Sequence, residues 1–174
     1  MAALVGSESW VAVVIKLNRS SDPVADLLIC CGSRNWAHKV AQHLPVTDVA
    51  KFRQQVADTW MQCSETDWLE AFSHHPRIGE AVLREKFGAS ADLSQKEQSG
   101  IAQASSDTIR QLAQLNQTYF ETFGFIFIIC ATGLDPETML AALKERLNHT
   151  RSEELLLAAQ EQLKITLIRL EPLL

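Results

Sequence analysis

From Asp22 onward, apolar residues recur at three- and four-residue intervals between short polar stretches, the pattern of successive amphipathic helices. Asp22-Pro23 sets a capping side chain before a proline at the first helical position, and Cys31-Gly32 closes that short helix. Ser33 is placed to cap a second helix with Trp36, Ala37 and Val40 on one face. Thr47 is placed to cap a third, which carries Val49, Phe52, Val56, Trp60 and Cys63. Ser64-Glu65-Thr66-Asp67 has the form of a capping box with Asp in place of Glu, opening a helix through Trp68, Leu69 and Phe72. Trp36, Trp60 and Trp68 all fall on apolar faces and read as core.

Pro76 lacks a backbone donor and drives His75 towards extended geometry, so the fourth helix stops there. Ala81–Phe87 reads as a short helical segment ended by Gly88. The longest helix is expected from Ser94 to about Thr122, with Ile101, Ala102, Ile109, Leu112, Ala113, Tyr119 and Phe120 on its apolar face. Phe125–Ala131, between Gly124 and Gly133, is isoleucine-rich and too short for a helix of its own, which predicts an extended segment. Asp135-Pro136-Glu137 restarts a helix to about Leu147. Thr150-Arg151-Ser152-Glu153 is a second capping-box pattern, opening a last helix with Leu156, Ala159, Leu163, Leu167 and Leu170 on one face. Trp10–Ile15 is β-branched and apolar without a partner strand, compatible with an atypical arm, a dimer contact or a poorly ordered end. The expected architecture is all-α: an N-terminal arm over 1–20, then one helical domain over 21–174. That domain should be a bundle of about seven to nine helices, with one short extended segment near 125–131.

At 174 residues the chain suits a single domain with an ordinary core. Its net charge of −5 argues against nucleic acid as a partner, since phosphate binding needs a basic face. An anionic small substrate would need local arginines. The four cysteines, Cys30, Cys31, Cys63 and Cys130, lack C-x-x-C spacing and read as free thiols in a reducing compartment. The apolar run Val11–Ile15 is too short to span a membrane and lacks the features of a signal peptide. The terminal Glu171-Pro172-Leu173-Leu174 is not a peroxisomal address, which leaves the cytoplasm as the expected location.

Candidate chemistry centres on Ser73-His74-His75-Pro76-Arg77-Ile78-Gly79-Glu80. His75 is a titratable imidazole at a helix exit, on backbone stiffened by Pro76, and suits proton transfer near neutral pH. A helix terminus with imidazoles near the last carbonyls explains the same residues structurally. A metal site from His74, His75 and Glu80 lacks H-x-x-x-H spacing and is not expected. Arg77 suits a structural ion pair, His74 should point away from His75, and His38, His43 and His149 read as surface. Ser94-x-x-Glu97 is a capping box before an apolar helix, and such a helix end also aims free amides at an anion. Gln98 adds an amide able to donate and accept. An extended Phe127–Ala131 without a sheet partner needs hydrogen-bond partners from elsewhere, which a flat ligand can supply. Arg169 shares a face with Ala158, Gln162 and Ile165, distinct from the leucine face. A surface arginine near a helix C-terminus is its ordinary explanation.

Four blocks taken in order, SHHPRIGE, Ser94-Gln95-Lys96-Glu97-Gln98, Phe123–Ala131 and Arg169-Leu170, resemble the 2-oxo-4-hydroxy-4-carboxy-5-ureidoimidazoline (OHCU) decarboxylases of uric acid degradation. The resemblance runs from about Cys30 to Leu170 and is weakest over residues 1–20. Ile126 stands where family members often have proline. The resemblance implies a carboxy-lyase that forms (S)-allantoin and carbon dioxide without cofactor or metal, commonly as a homodimer. It makes His75 the proton donor and sets Glu97 beside it. Pro76, Ser94, Gln95, Lys96, Gln98 and the backbone of Phe127, Ile128, Ile129, Cys130 and Ala131 then line the substrate, and Arg169 anchors an oxygen. Two other readings fit the same residues: a hydrolase of a related ureide using His75 and Glu97 to activate water, and a non-catalytic helical binding module.

Overall fold

The computed structural model describes residues 15–76 and 98–174, with residues 98–106 described through their backbone alone. Among the described residues it has seven α-helices, two short 3-10 turns and no strand. The α-helices are α1 (Pro23–Cys30), α2 (Arg34–Ala41), α3 (Val49–Met61), α4 (Glu65–Ser73), α5 (Gln98–Phe123), α6 (Pro136–Arg146) and α7 (Arg151–Leu170). The expected segment over 81–87 and the first turn of the long helix at Ser94 lie outside the described residues.

Helix starts follow the capping chemistry of the sequence. Asp22, Ser33 and Asp135 each accept a backbone N–H in the first turn of their helices. Ser64 and Thr150 form complete capping boxes with Asp67 and Glu153. At α3 the cap is Asp48, one residue beyond Thr47, and its carboxylate accepts from Lys51 N at 3.0 Å. Gly124 follows α5 with φ +80°, a left-handed turn that suits glycine. Gly32 has no such φ. A Cβ there would lie 2.5 Å from His74 Cδ2, so glycine serves close approach of the His74 ring.

The last helix, α7, packs against α1, α3 and α4, while α5 pairs with α6. Trp36 and Trp60 are fully enclosed, and their indole N–H groups donate to Val56 O at 3.3 Å and Ala159 O at 2.8 Å. The second of these ties α3 to α7. Residues 16–19 form a 3-10 turn that buries Leu17, and Asn18 brackets Val46 through Nδ2 and Oδ1 at 2.7 Å each.

The inner face of α7 differs from the leucine stripe expected of it. Leu155, Ala158, Ala159 and Leu170 are buried there together with Glu154, Gln162 and Thr166, while Leu156 is 44% exposed. Glu154 is the hub of a buried polar cluster. Tyr119 Oη and Arg146 Nε donate to its Oε1, the latter at 2.6 Å, and His149 Nδ1 lies 3.0 Å from its Oε2. His149 is therefore a partner of α7 rather than a simple surface residue. Burial and the Glu154 acceptor together push the Tyr119 phenol up, so it stays a donor. Arg146 also stacks 4.6 Å from the Phe127 ring centroid.

Removing one partner of a buried charge pair strands the other. Glu154→Ala is expected to lower stability by about 3–5 kcal/mol, and Leu156→Ala by no more than about 0.5 kcal/mol. Chemical denaturation of the two variants measures both, and the order is the reverse of what the leucine stripe implies.

Candidate active site

His75 lies one residue beyond the C-cap of α4, where its backbone N–H closes a last turn onto Phe72 O at 3.1 Å. Pro76 ends the helical path, as expected. The side chain is half-buried, and its Nε2 lies 2.7 Å from Oε1 of Gln162, a fully buried residue in the middle of α7. Burial holds the imidazole below its ordinary pKa. The positive charge of Arg169 adds to this, the hydrogen bond to Gln162 opposes it, and His74 contributes a further small depression.

Arg169 lies seven residues beyond Gln162 on α7 and so shares its face. Its side chain is exposed, and among the described residues no carboxylate pairs with it. Its field reaches both His75 and Cys30. The guanidinium therefore stands near enough to the imidazole to disfavour its charged form.

Residues 125–131 form neither helix nor strand, and side chains holding them come from α6 and α7. Arg146 Nη1 donates to Ile128 O at 2.7 Å, and Glu161 Oε2 accepts from Cys130 N at 2.8 Å. Burial raises the Glu161 carboxyl pKa, but Lys164 at 2.5 Å and the Cys130 amide outweigh this and keep it low, as a charged acceptor. Part of the segment's hydrogen-bonding demand is thus met inside the protein, where a ligand was one expected source. Phe127 and Ile128 point into the core, while Ile129, Cys130 and Ala131 are half-buried.

Consecutive residues of α7 therefore hold two separate parts of the chain: Glu161 holds the 125–131 segment and Gln162 holds His75. The structure brings His75, Pro76, residues 127–131 and Arg169 into the surroundings of one helix. Ser94, Gln95, Lys96 and Glu97 lie outside the described residues, as do Arg77 and Glu80, and Gln98 begins α5. Sequence reading passed over Glu161, Gln162 and Thr166 as supports. Their signal was a polar series, Gln162, Thr166 and Arg169, at spacings of four and three along an apolar helix. The His74 ring packs against Gly32. No group of residues suited to hold a metal occurs among the described residues.

Comparison with known proteins places this arrangement. A family model described as OHCU decarboxylase matches residues 18–171. The uric acid degradation bifunctional protein TTL of Arabidopsis thaliana is 42% identical over 147 residues, 83% of this chain and 45% of that protein. The chain thus spans less than half the length of that relative. The 2-oxo-4-hydroxy-4-carboxy-5-ureidoimidazoline decarboxylase of Halalkalicoccus jeotgali is 30% identical over 142 residues, 80% of this chain and 74% of that protein. A crystal structure of OHCU decarboxylase in the presence of (S)-allantoin has a TM-score of 0.68 and 37% identity, covering 85% of this chain and 96% of that one. With the match extending over nearly every described helix, and with His75, the 125–131 segment and Arg169 gathered around α7, this chain belongs to the OHCU decarboxylase family.

Proposed function

We propose that this protein decarboxylates 2-oxo-4-hydroxy-4-carboxy-5-ureidoimidazoline to (S)-allantoin, with His75 as the proton donor. The observation that carries the proposal is the pairing on α7, where adjacent residues fix the imidazole and the backbone of residues 125–131. The names of the relatives supply the substrate. In the reaction the bond from the ring carbon to the carboxylate breaks, and its electron pair passes into the adjacent C=N. A new C–H bond then forms with a proton from His75, which solvent replaces. Delocalisation through the ring stabilises the electron pair, so the protein's tasks are orientation, carboxylate binding and proton delivery to one face.

Arg169, unpaired among the described residues and near enough to act on His75, supplies local positive charge for an anionic substrate in a chain of net charge −5. Glu97 is assigned beside His75, where its charge would favour the imidazolium. Ser94, Gln98 and the backbone of residues 127–131 are assigned to the ureido and ring groups, and Gln95 and Lys96 to the wall of the substrate pocket. The enzyme is further proposed to be a cytoplasmic homodimer. The free thiols of Cys30, Cys31 and Cys63 support a reducing compartment. Exposed Ile29 and Ile168 support a covered surface.

Allantoin made from urate by urate oxidase and hydroxyisourate hydrolase should gain the (S)-allantoin circular dichroism signal rapidly when this protein is added. His75→Ala should lower turnover by about 10²–10⁴-fold while the helical far-ultraviolet spectrum persists. Racemic product at the spontaneous rate with the native protein would refute the activity. The pH profile tests the role of His75. A donor must be protonated, so kcat/KM of the free enzyme should fall as pH rises through a pKa below the ordinary 6.5. A base that activates water would give a rise through the same pKa. Gly32→Ala, which forces His74 and hence His75 to move, should lower kcat by at least about tenfold with the fold retained.

A further inference from the structure

The contact between His75 Nε2 and Gln162 Oε1 leaves open which partner carries the hydrogen, and the next turn of α7 decides it. Thr166 Oγ1 donates its single hydrogen to Gln162 O at 2.9 Å. Towards the Gln162 side chain Thr166 is therefore an acceptor, and it receives Gln162 Nε2 at 3.2 Å. The amide NH₂ faces Thr166, and the amide oxygen faces the imidazole. An amide oxygen only accepts, so Nε2 of His75 must carry a proton. Turning the amide over would set its NH₂ against the ring and require Thr166 to give up its bond to the Gln162 carbonyl.

Burial makes these roles hard to exchange. Gln162 and Thr166 are 0% and 1% exposed, so water is excluded as a substitute partner. Behind them Cys31 is fully buried with its thiol in hydrogen-bonding reach of Thr166. Burial pushes that thiol to about 12, so at neutral pH it keeps its hydrogen and carries no charge beside Thr166. Thr166, Gln162 and His75 form a line in which each side-chain atom has one role. The other ring nitrogen, Nδ1, has no hydrogen-bond partner among the described residues.

We propose that Gln162, set by Thr166, is a positioning residue that holds His75 as the Nε2–H tautomer and so makes Nδ1 the nitrogen that delivers the proton. The second half rests on His75 being the donor; the tautomer does not. During turnover the imidazolium keeps its Nε2–H on Gln162, Nδ1–H breaks as the substrate C–H forms, and solvent reprotonates Nδ1. The charged and titratable groups near His75 among the described residues are Arg169 from α7 and His74 from the end of α4.

The test is ¹⁵N nuclear magnetic resonance of the full-length protein, with the His75 ring assigned by its loss in His75→Ala. Above the imidazole pKa, native His75 should show one protonated Nε2 and one unprotonated Nδ1. Gln162→Leu should give a mixture of tautomers and lower kcat by at least about tenfold with KM little changed. Gln162→Glu keeps an acceptor at Nε2, so it should restore the single tautomer. Its negative charge should move the falling limb of the pH profile to higher pH. A native Nδ1–H tautomer or mixture overturns the inference, and so does a Gln162→Leu protein with unchanged tautomer and kcat. If Gln162→Leu does not fold, the native spectrum and Gln162→Glu decide. Full activity in His75→Ala would instead refute the donor assignment and leave the tautomer result standing.

Discussion

Polar groups taken out of water must find partners, and this fold meets that requirement on the inner face of α7. Glu154, Gln162 and Thr166 are buried along a helix packed against α1, α3 and α4, where an all-leucine face would pack with less demand on geometry. Each polar side chain reaches a different part of the chain or supports one that does. Glu154 gathers Tyr119 from α5, Arg146 from α6 and His149 from the connection before α7. Gln162 takes His75. No buried side-chain nitrogen or oxygen among the described residues lacks a hydrogen-bond partner. The cluster favours a single arrangement, because displacing any one member strands a charge or an amide in the core.

The 125–131 segment depends on the same requirement. Seven consecutive residues after Gly124 have neither helix nor sheet to satisfy their backbone. Arg146 reaches Ile128 O and Glu161 reaches Cys130 N, side chains standing in for a neighbouring strand. Aromatic packing does the rest: Tyr119 meets the rings of Phe123, Phe125 and Phe127 at centroid distances of 4.7, 5.8 and 5.3 Å. Arg146 serves both systems, bonding Glu154 and Ile128 while lying over Phe127. The buried charge pair and the proposed substrate-facing backbone are thus mechanically one unit.

His75 sits where opposing influences meet. Burial and Arg169 disfavour its charge, and Gln162 favours it through one ring nitrogen. An imidazole with a depressed pKa is a stronger acid once protonated, which suits delivery of a proton to carbon. Arg169 lowers that pKa when the site is empty, and under the proposed reaction it would be neutralised by the arriving carboxylate. Substrate binding would then itself favour the protonated donor.

Helix positions were written locally, because caps and apolar spacing act within a turn or two: Asp22, Ser33, Ser64, Asp135 and Thr150 all cap the helices that the sequence indicates. The break at His75-Pro76 and the interruption of helix after Gly124 were legible for the same reason. The shift of a cap from Thr47 to Asp48 shows the limit, since adjacent residues compete for one end and final backbone geometry chooses. Periodicity named Leu156 as buried and gave His149 no partner, because it counts apolar residues and cannot see a carboxylate paired with an arginine from another helix. The likeness of four sequence blocks to a family suggested His75 and Arg169, but not the residues that hold them. Gln162 and Glu161 acquire their roles only when α4 and the 125–131 segment dock on α7, 87 and 31 residues away in sequence. The sequence by itself determined where helices begin and end and which residues have reactive side chains. Tertiary structure alone decided which polar groups lose water together, and hence which nitrogen of His75 is held.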